Sequence, residues 1–386
     1  MTSPAGGRED ALFTPRFFAL FTFTFTVFMS AFQLFPTAPY RILGIGGSTA
    51  MAGLFLGGLT YASALAAPIT GSLVDRIGQR RMLIITSLII AGFSTLYAVT
   101  TSPALMIAIV VVHGTVWSGL LTASGAYMAA ILPASRRAEG LGYWGFASIT
   151  AIGVAPSIGF AVYHLGWVAL CAEMVALNLL MAFIAWRLPE LPAHDAPVAA
   201  RTPLIEWPTL WLSLTLTLVS FGYGAITSFS ALFADDLGVA PRGLFLTAMA
   251  VTMFLGRVAV GRYIDRIGYR RVLMPSLAVS VTGLVLVSLA TGRTSFGVAG
   301  ALFGAGFGLM WPAFASFIIG RAGPERRGAA YGAMIAAFDT GIGTGSTALG
   351  TIIHHFGYRA AFGSAAVLAA LSLPYFLLAE KRFHRD

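Results

Sequence analysis

The 386-residue sequence is nearly without cysteine and poor in charge: one Cys, and only 10% Asp, Glu, Lys and Arg together. A single thiol excludes an intramolecular disulfide framework, and the place of Cys171 inside an apolar run makes it a packing residue. With 57% hydrophobic residues and a mean hydropathy of +0.82, the chain lacks the polar residues needed to cover its apolar surface in water. Catalytic signatures are missing as well. No G-x-x-x-x-G-K-[ST] loop is present to hold ATP, and neither H-E-x-x-H nor G-x-S-x-G occurs. These absences argue against an ATP-driven pump and against a membrane-embedded enzyme, and no cofactor or metal ligand set is expected.

What the chain has is apolar length. A helix needs about 20 mostly apolar residues to cross the hydrocarbon core, and such runs fall at roughly 16–38, 49–70, 82–101, 104–132, 140–163 and 167–187. After a more polar interval, a second set follows at roughly 208–234, 243–262, 272–291, 294–320, 328–353 and 359–379. The expectation is an all-α membrane protein of about twelve transmembrane helices. It divides into an N-terminal six-helix bundle at 1–187, a cytoplasmic linker at 188–207 and a C-terminal six-helix bundle at 208–386. The first run exceeds the ~7–15 residues of a signal-peptide core and is read as an uncleaved helix. Alternating the spans from an internal N-terminus leaves only Arg41, Arg242, Arg293 and Arg359 of the 24 basic residues on the outer side. By the positive-inside rule both termini are then cytoplasmic. The net charge of +9 is spread over short inter-helix loops, a pattern that suits anionic lipid headgroups and not nucleic acid.

The stretch GSLVDRIGQRR, Gly71 to Arg81, returns 190 residues later as GRYIDRIGYRR, Gly261 to Arg271. The same offset carries Arg136, Arg137 and Gly142 onto Arg326, Arg327 and Gly332, and Gly153 onto Gly343. Two halves of like orientation form a parallel repeat, which implies two bundles about a pseudo-twofold axis along the membrane normal, with the substrate cleft between them. The G-x-x-x-D-R-x-G-x-R-R loop, present in both halves, resembles the signature loop of the major facilitator superfamily, and the resemblance covers the whole chain. Within that superfamily, ILPASRRAEGLGYWG, GVAPSIG and AAFDTGIGTG are similar to bacterial exporters of the drug:proton antiporter and arabinose-efflux-like group. The resemblance implies alternating access in the major facilitator fold, with proton-coupled efflux of a small organic solute, a drug-like compound or metabolite. It further implies a monomer in the bacterial inner membrane. Two positions depart from the group: its frequent fourth-helix arginine would fall at Val110, and an acidic residue of that helix at Ala130.

The repeated loop is the expected cytoplasmic gate. Gly71, Gly78, Gly261 and Gly268 permit a tight turn and close helix approach, while Asp75 and Asp265 set a carboxylate at the surface, where it can meet a helix N-terminus. By the resemblance, Asp75 faces the RRGAAYG end, with Arg326, and Asp265 the RRAEGLG end, with Arg136. Arg76, Arg80, Arg81 and Arg266 complete the set. The plainer alternative is that these charges only orient the chain.

For the cleft, Thr22, Thr26, Ser30, Gln33 and Thr37 make one face of the first helix, with phenylalanines on its other faces. Gln33 is the leading substrate contact there, since the threonines serve equally as helix–helix glue. His113 and Trp117, Tyr223 and Thr227, and Phe307 and Trp311 are pairs four apart that suit the wall of an apolar or aromatic ligand site. Such stripes also pack cores. Of the 15 acids, Glu173 and Asp339 alone fall well inside spans, where a charge costs about 2.5–3.5 kcal/mol on insertion scales, and they are the proton-coupling candidates. Glu173 is on the sixth helix, peripheral by the resemblance, and Asp339 on the eleventh, which borders the cleft. With acids inside and bases at the rim, a neutral or cationic cargo is expected. The direction of transport is open: an importer and, in a different class, a non-transporting receptor are the competing readings.

Overall fold

The structure is a computed structural model that describes residues 11–191, 207–260, 264–321 and 327–383. All regular structure among the described residues is helical. The first half comprises α1 (Pro15–Gly44), α2 (Thr49–Ile77), α3 (Gln79–Val99), α4 (Pro103–Ile131), α5 (Arg137–Tyr163) and α6 (Trp167–Arg187), with one 3₁₀ turn at Ala134–Arg136. The second comprises α7 (Trp207–Asp236), α8 (Leu244–Val260), a short α9 (Ile264–Ile267), α10 (Tyr269–Ser288), α11 (Arg293–Arg321) and α12 (Arg327–Phe383). α12 runs 57 residues and breaks at Gly357, whose φ of 81° no ordinary side chain adopts with ease. Its arms, 327–356 and 358–383, cross separately. With the arms counted apart and α8 included, the described residues hold twelve segments able to cross a membrane.

The helix starts are written locally. Thr14, Ser48 and Ser102 each accept a backbone N–H of the first turn of α1, α2 and α4, and prolines open α1 and α4. Where the signature loop turns from α2 into α3, Gly78 has a φ of 91°, and Gly268, its counterpart 190 residues on, repeats that value before α10. Gly71 is different. It lies within α2, and a Cβ added there would meet nothing within 4 Å, so it takes no part in the turn and touches no other helix in this conformation. Gly261 lies outside the described residues. So do residues 192–206, most of the expected linker; its first residues pack on the first half, where Glu190 pairs with Arg81 at 3.0 Å and Arg80 at 4.0 Å.

The halves meet through α2 against the first arm of α12, α5 against α8, and α1 against α7. The first two pairings exchange under the repeat, as a twofold axis requires. Glycines set the approach along one seam: a Cβ on Gly53 would collide with the Ser346 carbonyl oxygen, and one on Gly57 with the Thr347 hydroxyl. The Ser346 hydroxyl donates to the Gly53 carbonyl at 2.9 Å, and the Tyr61 and Thr344 hydroxyls meet at 2.5 Å. Farther toward the cytoplasmic end, the same face of α2 passes to exposed Pro68 and Asp75, and on the facing arm Gly332 is exposed with open space at its Cβ position. The halves are therefore closed on the periplasmic side and parted on the cytoplasmic side, the sides being set by the arginine distribution.

This seam yields a contrast between two glycines. Gly53→Ala forces α2 from the arm of α12 at an overpacking cost of about 1–3 kcal/mol, and spin-label distances across the periplasmic face lengthen. Gly71→Ala, which meets open space, leaves those distances unchanged.

Candidate functional site

Between the halves lies a cavity of about 410 Å³, within the size range of small-molecule sites. On the first half its wall is built by Phe28, Phe32 and Phe35 of α1, Trp117 of α4 and Ile149 of α5. On the second it is built by Tyr223 and Thr227 of α7, Phe307 and Trp311 of α11, and Phe338 of α12. The rings are in mutual contact: Tyr223 stacks on Phe307 with centroids 4.5 Å apart, and Trp311 meets Phe338 edge-on at 5.1 Å. Thr227 spends its hydroxyl proton on the Tyr223 carbonyl, 2.9 Å away.

Asp339 reaches this wall because of the glycines that follow it. In AAFDTGIGTG, Gly341 and Gly345 let the arm of α12 approach α7 until a Cβ would strike the Thr217 and Phe221 carbonyls, while Gly343 faces Thr60 and Tyr61 of α2. The Ser220 and Thr217 hydroxyls donate to the carbonyls of Phe338 and Ala337, at 2.9 and 2.8 Å. The backbone just before Asp339 is thus pinned, and its carboxylate faces the cavity.

Six of the sequence-derived candidates are brought together here: Trp117, Tyr223, Thr227, Phe307, Trp311 and Asp339. Gln33, His113 and Glu173 are elsewhere. Gln33 is fully buried inside the first bundle, where its Nε2 donates to Glu173 Oε1 at 3.3 Å and its side chain lies against Gly159. Nearby, Asn178 Nδ2 donates to the Ser30 hydroxyl at 3.1 Å. Gln33 and Ser30 thus join α1 to α6, Thr26 and Thr37 bond the backbone of α1 itself, and the aromatic face of α1 lines the cavity, so Gln33 is not among the cavity residues expected from the sequence. The physical reason is that interhelical hydrogen bonds hold helices together in lipid, although Gln33 Oε1, Glu173 Oε2 and Asn178 Oδ1 are buried here without a partner among the described residues. His113 is buried in the same bundle, its Nδ1 3.2 Å from the Tyr97 hydroxyl and its ring 5.4 Å from Phe93.

At the expected gate, Asp75 and Arg76 are exposed and make no hydrogen bond or ion pair with described residues. Arg80 also donates to the Trp186 carbonyl at 2.6 Å, which with the Glu190 pairing ties it to its own half. Arg136 makes a bidentate pair with Glu139, both bonds 2.9 Å. Arg266 is exposed. Arg326 and the Asp265 side chain lie outside the described residues.

Two groups escaped the sequence reading. Arg257, allotted to the cytoplasmic rim, lies on the cavity wall. Its Nη2 reaches the Gly308 carbonyl only at 3.5 Å, its Nε is buried without an acceptor, and its Nη1 would stand 3.2 Å from a Cβ on Gly145 of the opposite half. The signal was present, since Arg257 falls inside the span 243–262 and deserved the weight given to intramembrane acids. The cavity therefore carries a base as well as an acid, which overturns the expectation that all bases stay at the rim. The second group closes the periplasmic face. The Tyr40 hydroxyl donates to Asp235 Oδ2 at 2.9 Å, Arg242 Nε donates to Asp235 Oδ1 at 2.7 Å, and the guanidinium lies 5.0 Å over the Tyr40 ring. The hydrogen bond to Asp235 raises the Arg242 pKa above its ordinary value.

Known proteins can now be set beside this geometry. The sequence profile of the Major Facilitator Superfamily matches residues 17–264 and 212–386. The MFS-type transporter YhhS of Escherichia coli K12 is 25% identical over 340 residues, covering 85% of this chain and 83% of the relative. An MFS-type transporter of Pseudomonas aeruginosa is 28% identical over 410 aligned positions, covering 96% and 94%. Among solved structures, a bacterial homologue of the human lysosomal transporter Spinster, inward-facing and occupied, superposes with a TM-score of 0.81 at 16% identity, covering 96% of this chain and 97% of that one. The nucleoside transporter NupG gives 0.74 at 15% identity, covering 96% and 99%. At such identities the likeness is one of fold. Because the profile match runs through both halves, and the halves pack as like-oriented bundles around one cavity, the chain belongs to the major facilitator superfamily and is a multi-pass membrane transporter.

Proposed function

We propose that the chain exports a small organic compound from the cytoplasm in exchange for protons. The observation that carries this reading is Asp339, the one carboxylate on the cavity wall among the described residues, held among aromatic rings and free of any ion pair with them. A proton arriving or leaving changes the charge of the cavity by one unit. A cargo that needs the ionised carboxylate then competes with the proton for it, and that competition is the coupling. With the cytoplasmic side open, cytoplasmic solutes have direct access to the aromatic walls. Once the cavity faces outward, the higher proton concentration there protonates Asp339 and releases the cargo.

Two latches would exchange during the cycle. The periplasmic one is Tyr40, Asp235 and Arg242, which joins α1 to α7 and the loop after it. The cytoplasmic one is Asp75, exposed here and free to meet the start of α12 when the other face closes. A ligand shifts such an equilibrium only by binding the two states differently, and Asp339 gives the proton that differential.

Asp339→Asn in proteoliposomes abolishes uphill accumulation driven by a pH gradient while sparing downhill exchange of the same compound. A variant that still concentrates the compound at the wild-type rate removes Asp339 from the coupling. Direction is read in the same assay, since an exporter concentrates cargo in inverted vesicles that are acidic inside.

The latches have opposite signs. Arg242→Ala weakens periplasmic closure by about 1 kcal/mol after solvent screening, a several-fold population shift toward outward-open. Asp75→Asn moves the population toward inward-open. Double electron–electron resonance distances on the two faces report both shifts, and movement of both variants in the same direction contradicts the exchange.

A further inference from the structure

The cavity contains two opposite charges that do not pair. Asp339 on α12 and Arg257 on α8 both line it, yet no salt bridge joins them, and each lacks a charged protein partner among the described residues. A guanidinium has five N–H donors in a planar fork. That of Arg257 has one long bond, to the Gly308 carbonyl at 3.5 Å, and a buried Nε with no acceptor. An under-satisfied cation at this depth is costly unless something in the cavity answers it. Gly145 is fitted to the same purpose: without a side chain it gives the guanidinium room to lie against α5 of the opposite half. A ligand that fills the cavity must supply a carboxylate or similar acceptor to Arg257 and a cation to Asp339, with an apolar body against the aromatic rings that share the wall.

Resting on the reading of this cavity as the transport site, we propose that its cargo is an amphipathic zwitterion. The anionic group docks in the Arg257 fork, the ammonium group sits on the Asp339 carboxylate, and an aromatic or branched apolar body lies on Phe307, Trp311 and Phe338. The arrangement is self-consistent with antiport. A protonated Asp339 leaves the cavity with only its positive charge and nothing to hold the ammonium, so the zwitterion binds to the deprotonated form and the proton expels it. A simple organic anion would bind the protonated form better and travel with the proton, not against it. Arg257 thereby acts as the discriminator between zwitterionic and merely cationic compounds, a role distinct from proton transfer.

The test uses four compounds with one body: the dipeptide Phe-Phe as zwitterion, its C-terminal amide as cation, N-acetyl-Phe-Phe as anion and N-acetyl-Phe-Phe-amide as neutral control. Affinities for the full-length purified protein are measured by calorimetry and thermal shift at one pH without a gradient, so the result does not depend on proton coupling. The zwitterion is expected to bind at least roughly tenfold more tightly than either singly charged form, the ratio of one charge-assisted contact. Arg257→Gln reduces the zwitterion to the affinity of the amide and leaves the amide unchanged, which also shows that the variant is folded. Arg257→Lys restores part of the preference. Asp339→Asn reduces the zwitterion to the affinity of the N-acetyl compound. The proposal is overturned if the amide or the N-acetyl compound binds as tightly as the zwitterion, if Arg257→Gln keeps the preference, or if none of the four binds at millimolar concentration. Failure of Asp339→Asn to alter uphill transport, with the binding pattern intact, would instead strike the coupling and leave the charge recognition standing.

Discussion

Close backbone approach at glycine fixes the first arm of α12 on two sides at once, and the cavity depends on that clamp. In lipid there is no hydrophobic gain from bringing helices together, so packing must come from van der Waals contact and hydrogen bonds between surfaces that fit closely. Gly341 and Gly345 supply the fit toward α7, and Gly53, Gly57 and Gly343 supply it toward α2. Both faces add hydroxyl-to-carbonyl bonds, from Ser220 and Thr217 on one side and from Ser346 on the other. The arm is thereby held at a set rotation, and Asp339, one residue past the Phe338 carbonyl, has a set direction. Replacing any of these glycines alters the charge geometry of the cavity without touching a charged residue.

The architecture was legible in the sequence because its causes are local or periodic. Apolar length, the arginine count on alternate loops and the 190-residue echo each follow from the bilayer or from duplication, and most helix ends fell within a few residues of the expected spans, α1 and α2 running six and seven residues farther. The site was legible in part. The cavity positions of Trp117, Tyr223, Phe307 and Trp311 were readable because i,i+4 spacing puts pairs on one face, and of the two mid-span acids Asp339 lines the cavity while Glu173 packs against Gln33. Gln33 and His113 misled because a polar face on a helix says that something polar faces it, and says nothing of whether that is a ligand or a neighbouring helix. Here it is α6, with Glu173 and Asn178 waiting. Arg257 was missed for the opposite reason. Near the end of a span an arginine looks like an ordinary rim charge; its place inside 243–262 was the sequence signal, and packing against Gly145 and Gly308 shows that it turns inward.

The charge content of the cavity has a further logic. Val110, where the resemblance points to a fourth-helix arginine, is buried against Gly58 of α2. The cavity nevertheless has its cation, supplied from α8 in the other half. Base and acid lie on the same half, while the aromatic wall is completed by the opposite half. Rocking of the halves then changes the enclosure more than it changes the charge pattern.

The break at Gly357 has a mechanical consequence. One residue with positive φ joins the two arms of α12, leaving no loop to absorb relative movement. The second arm presents Val367, Leu371 and Leu378 outward with more than half or about half of each exposed, in direct touch with acyl chains. A turn or tilt imposed on that arm by bilayer thickness or lateral pressure passes through a single α-carbon into the arm that bears Asp339. The lipid-facing arm and the arm that bears Asp339 are therefore joined by one of the shortest linkages a polypeptide can make.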